Sequence, residues 1–191
     1  MLKLAREGAR VLAVDLNGAE AEQTVRLCPA GSCHALTADI TLESSWRQIL
    51  STARSLFDDR LDVVVNCAGV IHDAAPSHEV PEEQFDFVFK VNVKPLYLST
   101  KVIVPWWKET KRPGLFINLS STSEPRPRPF FVWYAASKGA VTAVGTSDLD
   151  IFQLHFHSWL TIRNVFSIRR RKVLRQSTPP ITFGTIAFGL R

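Results

Sequence analysis

The run Leu61-Asp-Val-Val-Val-Asn66 constrains the fold of this 191-residue chain more than any other feature. Three consecutive β-branched valines favour extended backbone. An apolar run of this kind needs cover on both faces, the situation of a strand in a sheet packed between helices. Comparable strands are expected at Arg10–Leu16, Cys33–Ala38 and Leu115–Leu119. Helices separate them. Residues 2–8 read as the last turns of a helix closed by Gly8, and Ala19–Leu27 as a second helix. Between Thr41 and Phe57 the set Leu42, Trp46, Ile49, Leu50, Ala53, Leu56 and Phe57 keeps to one helical face and reads as core. Pro81-Glu-Glu opens a helix, with carboxylates at its positive end, that leads into Val91-Asn92-Val93. Leu96–Lys111 continues as a helix carrying Trp106 and Trp107, which suit either a subunit contact or internal packing.

Length and charge narrow the class. The chain suffices for one core, and its net charge of +5 has a location. Residues 1–144 hold 16 Lys/Arg and 16 Asp/Glu, whereas residues 145–191 hold 7 Lys/Arg against Asp148 and Asp150. The excess belongs to the tail. Cys28, Cys33 and Cys67 lack the density or the paired spacing of a disulfide scaffold, and with His34 they lack a fourth ligand for a metal, so a reducing compartment and no metal are expected. Charges at Lys3, Arg6, Glu7 and Arg10 interrupt any signal-peptide core, and no apolar run approaches a membrane span. A soluble, cytoplasmic protein with neither a membrane nor a nucleic acid as partner is expected.

The chemistry concentrates between Leu115 and Val141: a strand, a Ser/Thr cluster at Ser120–Ser123, a Pro/Arg loop at Pro125–Pro129 and a helix with Tyr134 and Lys138. A spacing of four places phenol and ammonium one turn apart on one face. A nearby cation favours the phenolate, so such a pair can exchange a proton with a substrate oxygen. Spacing alone does not discriminate, since Tyr97 and Lys101 share it. What separates the pairs is Ser121, thirteen residues before Tyr134 at the carboxyl end of a strand, where open α/β sheets hold their ligands.

This Ser121, Tyr134 and Lys138 pattern resembles the active-site segment of the short-chain dehydrogenase/reductase family, and the resemblance spans about residues 2–143. It implies an α/β, Rossmann-like, doubly wound parallel sheet. The implied reaction is reversible hydride transfer between NAD(P) and a small alcohol or ketone. Ser121 would hold the carbonyl oxygen, Tyr134 would act as general acid and base, and Lys138 would support the tyrosine and hold the nicotinamide ribose. Asn92 matches the family's fourth catalytic position, which anchors a water behind the lysine. Asp15, at the tip of the second strand of that fold, would accept both adenosine ribose hydroxyls and repel a 2′-phosphate, favouring NAD over NADP. Asp39 and Ile40 match an aspartate and an aliphatic residue at the adenine ring. Asn66-Cys67-Ala68-Gly69 is close to the family's Asn-Asn-Ala-Gly, where Asn66 ties strands together and Ala68 and Gly69 admit the cofactor. Phe130, Phe131 and Trp133 flank the site and suit an apolar substrate or packing. Relatives pack the 96–111 helix against a second copy, so a homo-oligomer is implied.

The departures from the family matter as much. Cys67, Pro95 and Glu124 replace commoner residues, and no Thr-Gly-x-x-x-Gly-x-Gly phosphate turn occurs in the sequence. The expectation is therefore an incomplete fold without its first strand and glycine-rich loop. That strand belongs at the centre of the sheet, so Arg10–Leu16 and Leu61–Asn66 would either pair directly or leave backbone groups unpaired. From about residue 144 the family pattern gives way to a basic tail, 145–191, expected to be poorly ordered and without the C-terminal strands. In it Thr161–Val165 is a faint echo of the sixth strand, read as chance, and Arg169–Lys172 is a basic run read as incidental. Late start and abrupt change suggest a mis-spliced or mis-predicted gene product. Two readings follow: an oxidoreductase, or a catalytically inactive fragment of one.

Overall fold

The computed structural model describes residues 1–147, 160–162 and 185–189. In chain order these form α1 (Leu2–Arg6), β1 (Arg10–Asp15), α2 (Gly18–Arg26), β2 (Cys33–Thr37), α3 (Glu43–Leu56) and β3 (Val63–Asn66), then α4 (Glu82–Asn92), α5 (Lys94–Thr110), β4 (Leu115–Leu119), α6 (Val132–Ser147), β5 (Leu160–Ile162) and β6 (Thr185–Gly189). Local chemistry sets several boundaries. At the end of α1 the Gly8 N–H reaches the Ala5 carbonyl and the Ala9 N–H reaches Leu4, with Gly8 at φ +94°. That pair of bonds is a Schellman closure, and it needs a residue tolerant of left-handed backbone. The Asn17 side chain accepts from the Glu20 N–H and starts α2.

The strands form one sheet in the order β2-β1-β6-β3-β4-β5. β1 runs parallel to β2, and β3 parallel to β4, which runs parallel to β5. Alternate residues of one strand serve opposite faces. Leu12, Val14, Val64 and Phe116 pack with Trp46, Ile49, Ile103 and Trp107 of α3 and α5. Val11, Val63 and Val65 pack on the other side with Ala5, Ala9 and Val25, from the α1–α2 layer. Helices on both faces make the sheet doubly wound, as expected. Two buried indoles satisfy their N–H groups on backbone: Trp46 Nε1 donates to the Ile40 carbonyl at 2.8 Å and Trp107 Nε1 to Leu61 at 2.6 Å. Trp106 and Trp107 are both buried in the chain's own core cluster. Leu42 is the exception among the expected core residues. It stands at the N-cap of α3, outside the helical face, and is 47% exposed.

Three features depart from the sequence expectation. The gap between β1 and β3 is neither closed directly nor left open, because β6 enters it antiparallel to both neighbours. Leu160–Ile162 forms β5 beside β4, so the echo at Thr161 is a strand. Cys28 and Cys33 form a disulfide with Cα atoms 6.2 Å apart. The turn 29–32 folds back on itself, with Ser32 N–H on the Pro29 carbonyl, and brings the two thiols together. Sequence spacing alone does not reveal this. No helix among the described residues is long and apolar enough to cross a membrane. Arg169–Lys172 lies outside the described residues.

Candidate active site

The carboxyl ends of the parallel strands bring the candidate residues to one edge of the sheet. Asn66 ends β3, and its Nδ2 donates to Asn118 Oδ1 on β4 at 2.9 Å and to Ser99 Oγ on α5 at 3.4 Å. These two asparagines are register partners, so the bond ties the strands where the chain leaves the sheet. The tying role expected of Asn66 is visible in this bond. Immediately beyond, Gly69 passes so close to α6 that an added Cβ would lie 3.2 Å from Lys138 Nζ and 3.5 Å from Asn92 Oδ1. A side chain there would push on the lysine.

Asn92 closes α4 and is buried. Its Oδ1 accepts from the Val70 N–H at 2.8 Å, while its Nδ2 donates to the Val70 carbonyl and to Ser137 Oγ, both at 2.9 Å. Ser137 in turn donates to the Tyr134 carbonyl at 2.7 Å. One amide therefore fixes the loop after β3 against the helix that carries Tyr134 and Lys138. A buried amide with both ends engaged is a rigid post.

Lys138 is 5% exposed, and its Nζ donates to the Leu119 carbonyl at 2.9 Å, at the end of β4. Burial lowers its pKa to about 8, against an opposing pull from Cys67. The amine still carries its charge at pH 7. Burial also pushes the Cys67 thiol up to about 11, so it is a thiol and not a thiolate at neutral pH. A cavity of about 10 Å³ opens among Ile40, Asn66, Ala68, Asn92, Leu119 and Lys138. Its volume is about that of one water, and Asn66, Asn92 and Lys138 are the polar residues of an otherwise apolar lining.

Ser121 and Tyr134 are half-buried and lie outside the lining of that cavity. Ser121 Oγ accepts from the Ser123 N–H at 3.1 Å, which turns the chain after β4. Its neighbour Ser120 does the anchoring, with Oγ donating to the Lys138 carbonyl at 2.9 Å and sharing a bond with Thr142 Oγ1 at 2.8 Å. The segment before α6 is also held. Ala75 N–H donates to the Phe130 carbonyl, Trp133 Nε1 donates to the Ser77 carbonyl at 3.0 Å, and Phe131 faces the ring of buried His72 at 5.9 Å. Phe130 adopts φ +69°, a strained value for a non-glycine residue, and is 54% exposed.

Asp15 and Asp39 sit at the ends of the adjoining β1 and β2, joined by the Ala38 N–H on the Asp15 carbonyl. Each carboxylate accepts a backbone N–H two residues on, from Asn17 at 2.9 Å and Thr41 at 2.8 Å, and each is half-buried. Ile40 is buried at the cavity wall.

A strand-end serine, a Tyr/Lys helix and an asparagine post are thus carried by neighbouring elements of one fold. The family profile described as short chain dehydrogenase matches residues 1–147. This chain belongs to the short-chain dehydrogenase family. It is 33% identical over 141 residues to 4-formylbenzenesulfonate dehydrogenase from Comamonas testosteroni, covering 73% of this chain and 55% of that protein. Over 161 residues it is 33% identical to cyclopentanol dehydrogenase from a Comamonas species, covering 81% and 63%. The solved structure of 3-ketoacyl-(acyl-carrier-protein) reductase from Brucella melitensis complexed with NADH superposes with a TM-score of 0.70 and 34% identity, covering 75% of this chain and 60% of that one. The chain thus spans about six-tenths of the length of these relatives. In this chain, Ser120 and Ser137 are the residues that sequence reasoning missed. A serine in a small-residue helix or a serine cluster carries no periodic signal, and its partners lie 18 and 45 residues away.

Proposed function

We propose that this chain carries the proton-transfer machinery of a nicotinamide-dependent oxidoreductase that interconverts a small alcohol and its ketone. The buried Lys138 carries the reading. Sequestering an ammonium opposes stability, and here it stands one turn from Tyr134 against a glycine and an asparagine. The residues suit a nicotinamide nucleotide: Gly69 leaves bare backbone beside Lys138, and the strand-end carboxylates of Asp15 and Asp39 suit ribose hydroxyls and an adenine amine. When bound, the nicotinamide would supply or accept the hydride. Ser121 holds the substrate oxygen, with its hydroxyl aimed at the charge that develops there. Tyr134 gives that oxygen a proton during reduction and takes it back during oxidation. Lys138 stabilises the deprotonated phenol, and Asn92 holds a water in the small cavity behind it. Asp15 selects NAD over NADP by repelling a 2′-phosphate, and exposed Tyr97 on α5 suits contact with a second copy.

The deciding experiment titrates the purified chain with NADH and NADPH by fluorescence, then follows turnover of a small cyclic ketone. Binding of NADH over NADPH with turnover supports the proposal. Turnover unaffected by Tyr134→Phe overturns it. A second reading, an inactive domain, is favoured by one observation: β6 fills the middle of the sheet. Millimolar or absent NADH binding would support it. The expected cytoplasmic location is tested by thiol titration of the native chain in the cell, where a reducing compartment would leave Cys28 and Cys33 as thiols.

A further inference from the structure

The described sheet consists of two parallel sets, β2-β1 and β3-β4-β5, and β6 is what joins them. β6 pairs with β1 through Arg10↔Gly189, Val11↔Phe188, Leu12↔Ala187, Ala13↔Ile186 and Val14↔Thr185, and with β3 through Val63↔Phe188, Val64↔Ala187 and Val65↔Ile186. Since β6 is antiparallel to both, β1 and β3 run in the same direction. In sheets of this type an antiparallel strand ordinarily lies at the edge. Here it lies in the middle.

The connectivity of the chain allows it. The β1–β2 set and the β3–β4–β5 set each contain their own crossover helices, so each forms from contiguous chain. β6 is the last described element, separated from β5 by residues 163–184. That tether of 22 residues can extend for about 70 Å, far more than the width of the sheet. Without β6 each set would present an unpaired inner edge, and an open edge is a template for any extended apolar segment. Thr-Ile-Ala-Phe-Gly is such a segment.

We infer that the slot between β1 and β3 is a strand-binding site whose occupant is the chain's own Thr185–Gly189, and that the same segment supplied from outside competes for it. The slot reads backbone, so it selects an extended, uncharged, proline-free strand. The inference stands independently of the catalytic proposal, because no residue of the Ser121, Tyr134, Lys138 and Asn92 set lies in the slot.

Paired cysteines in the full chain test the occupancy. Ala13→Cys with Ile186→Cys, and Val14→Cys with Thr185→Cys, sample adjacent register positions, of which one has the narrower spacing of an antiparallel ladder. Mild oxidation should link one of these pairs within a single chain, as mapped by mass spectrometry away from Cys28, Cys33 and Cys67. No link in either pair, or links between copies alone, would overturn the inference. In the unaltered chain, the amides of Ile186–Phe188 should exchange slowly with deuterium, and exchange at free-peptide rates is likewise fatal. For the competing strand, Ala187→Pro in the full chain removes a ladder N–H from the centre of β6. A fluorescein-labelled peptide of residues 185–191 should then bind that variant about tenfold more tightly than the unaltered chain. Equal uptake by the two chains, or equal uptake of the peptide bearing the same proline, would show that no such slot exists.

Discussion

The two tyrosines of this chain each stand four residues before a lysine on a helix, yet the fold treats the pairs in opposite ways. Tyr97 is 62% exposed on α5, and Lys101 Nζ lies 5.9 Å from its ring centroid. Lys101 bonds Glu43 on α3 at 2.7 Å, which raises its pKa. Lys138 is buried against a backbone carbonyl, and burial lowers its pKa to about 8. Equal spacing thus gives a solvated ion pair in one place and a desolvated amine in the other. What differs is the element behind the helix: α5 shows solvent the face with Tyr97, whereas α6 packs against β4 and β5 and turns Lys138 onto the end of β4.

The largest effect expected from this contrast is on turnover. Tyr134→Phe should lower kcat for ketone reduction by about 10²–10⁴-fold, the usual worth of a positioned proton donor. Tyr97→Phe should leave it unchanged. Equal losses in both variants would erase the distinction between the pairs.

The next concerns stability against pH. Lys138 has a folded pKa below its unfolded value of 10.5, so below pH 8 both states are protonated and burial of the ammonium opposes folding in full. Between about pH 8 and 10.5 the unfolded state binds the extra proton, and stability rises with pH. Relative to Lys138→Met, the unaltered chain should gain on the order of 3 kcal/mol across that window, measured by urea denaturation. For Lys101 the sign reverses, because its pKa is raised. Lys101→Met should lose an ion pair that is in place from neutral pH up to about pH 10 and fades as Glu43 protonates in acid or Lys101 deprotonates in base, so it shows no gain in that window. A flat Lys138 difference would mean that the amine is solvated.

Smaller effects sharpen the account of the support around Lys138. Asn92→Leu leaves the Val70 backbone groups and the Ser137 hydroxyl without their partner, which should cost about 1–3 kcal/mol in denaturant unfolding. Glu43→Gln weakens the Lys101 and Arg47 pairs at the surface and should leave the midpoint where it is. If the two variants were equally destabilised, the Asn92 hub would be no more than a surface contact.

Much of this was legible in the sequence because it is local. Three valines in a row announced a strand covered on both faces, Gly8 announced a helix end, and Ser121, Tyr134 and Lys138 announced the candidate site by type and spacing. Leu42 misled because helical period does not show where the helix begins, and the backbone at Leu42 is still extended. Cys28 and Cys33 misled because their pairing depends on how the turn between them closes.

By itself the sequence determined the element types, the family and the identity of the residues at the strand ends, since each follows from side-chain chemistry within a few residues. Tertiary structure alone decided which Tyr/Lys pair is desolvated, that Asn92 and Ser137 brace α6, and that β6 occupies the centre of the sheet. Those outcomes depend on which edges and faces remain open once the other elements have packed, and an open edge is satisfied by whichever strand can reach it.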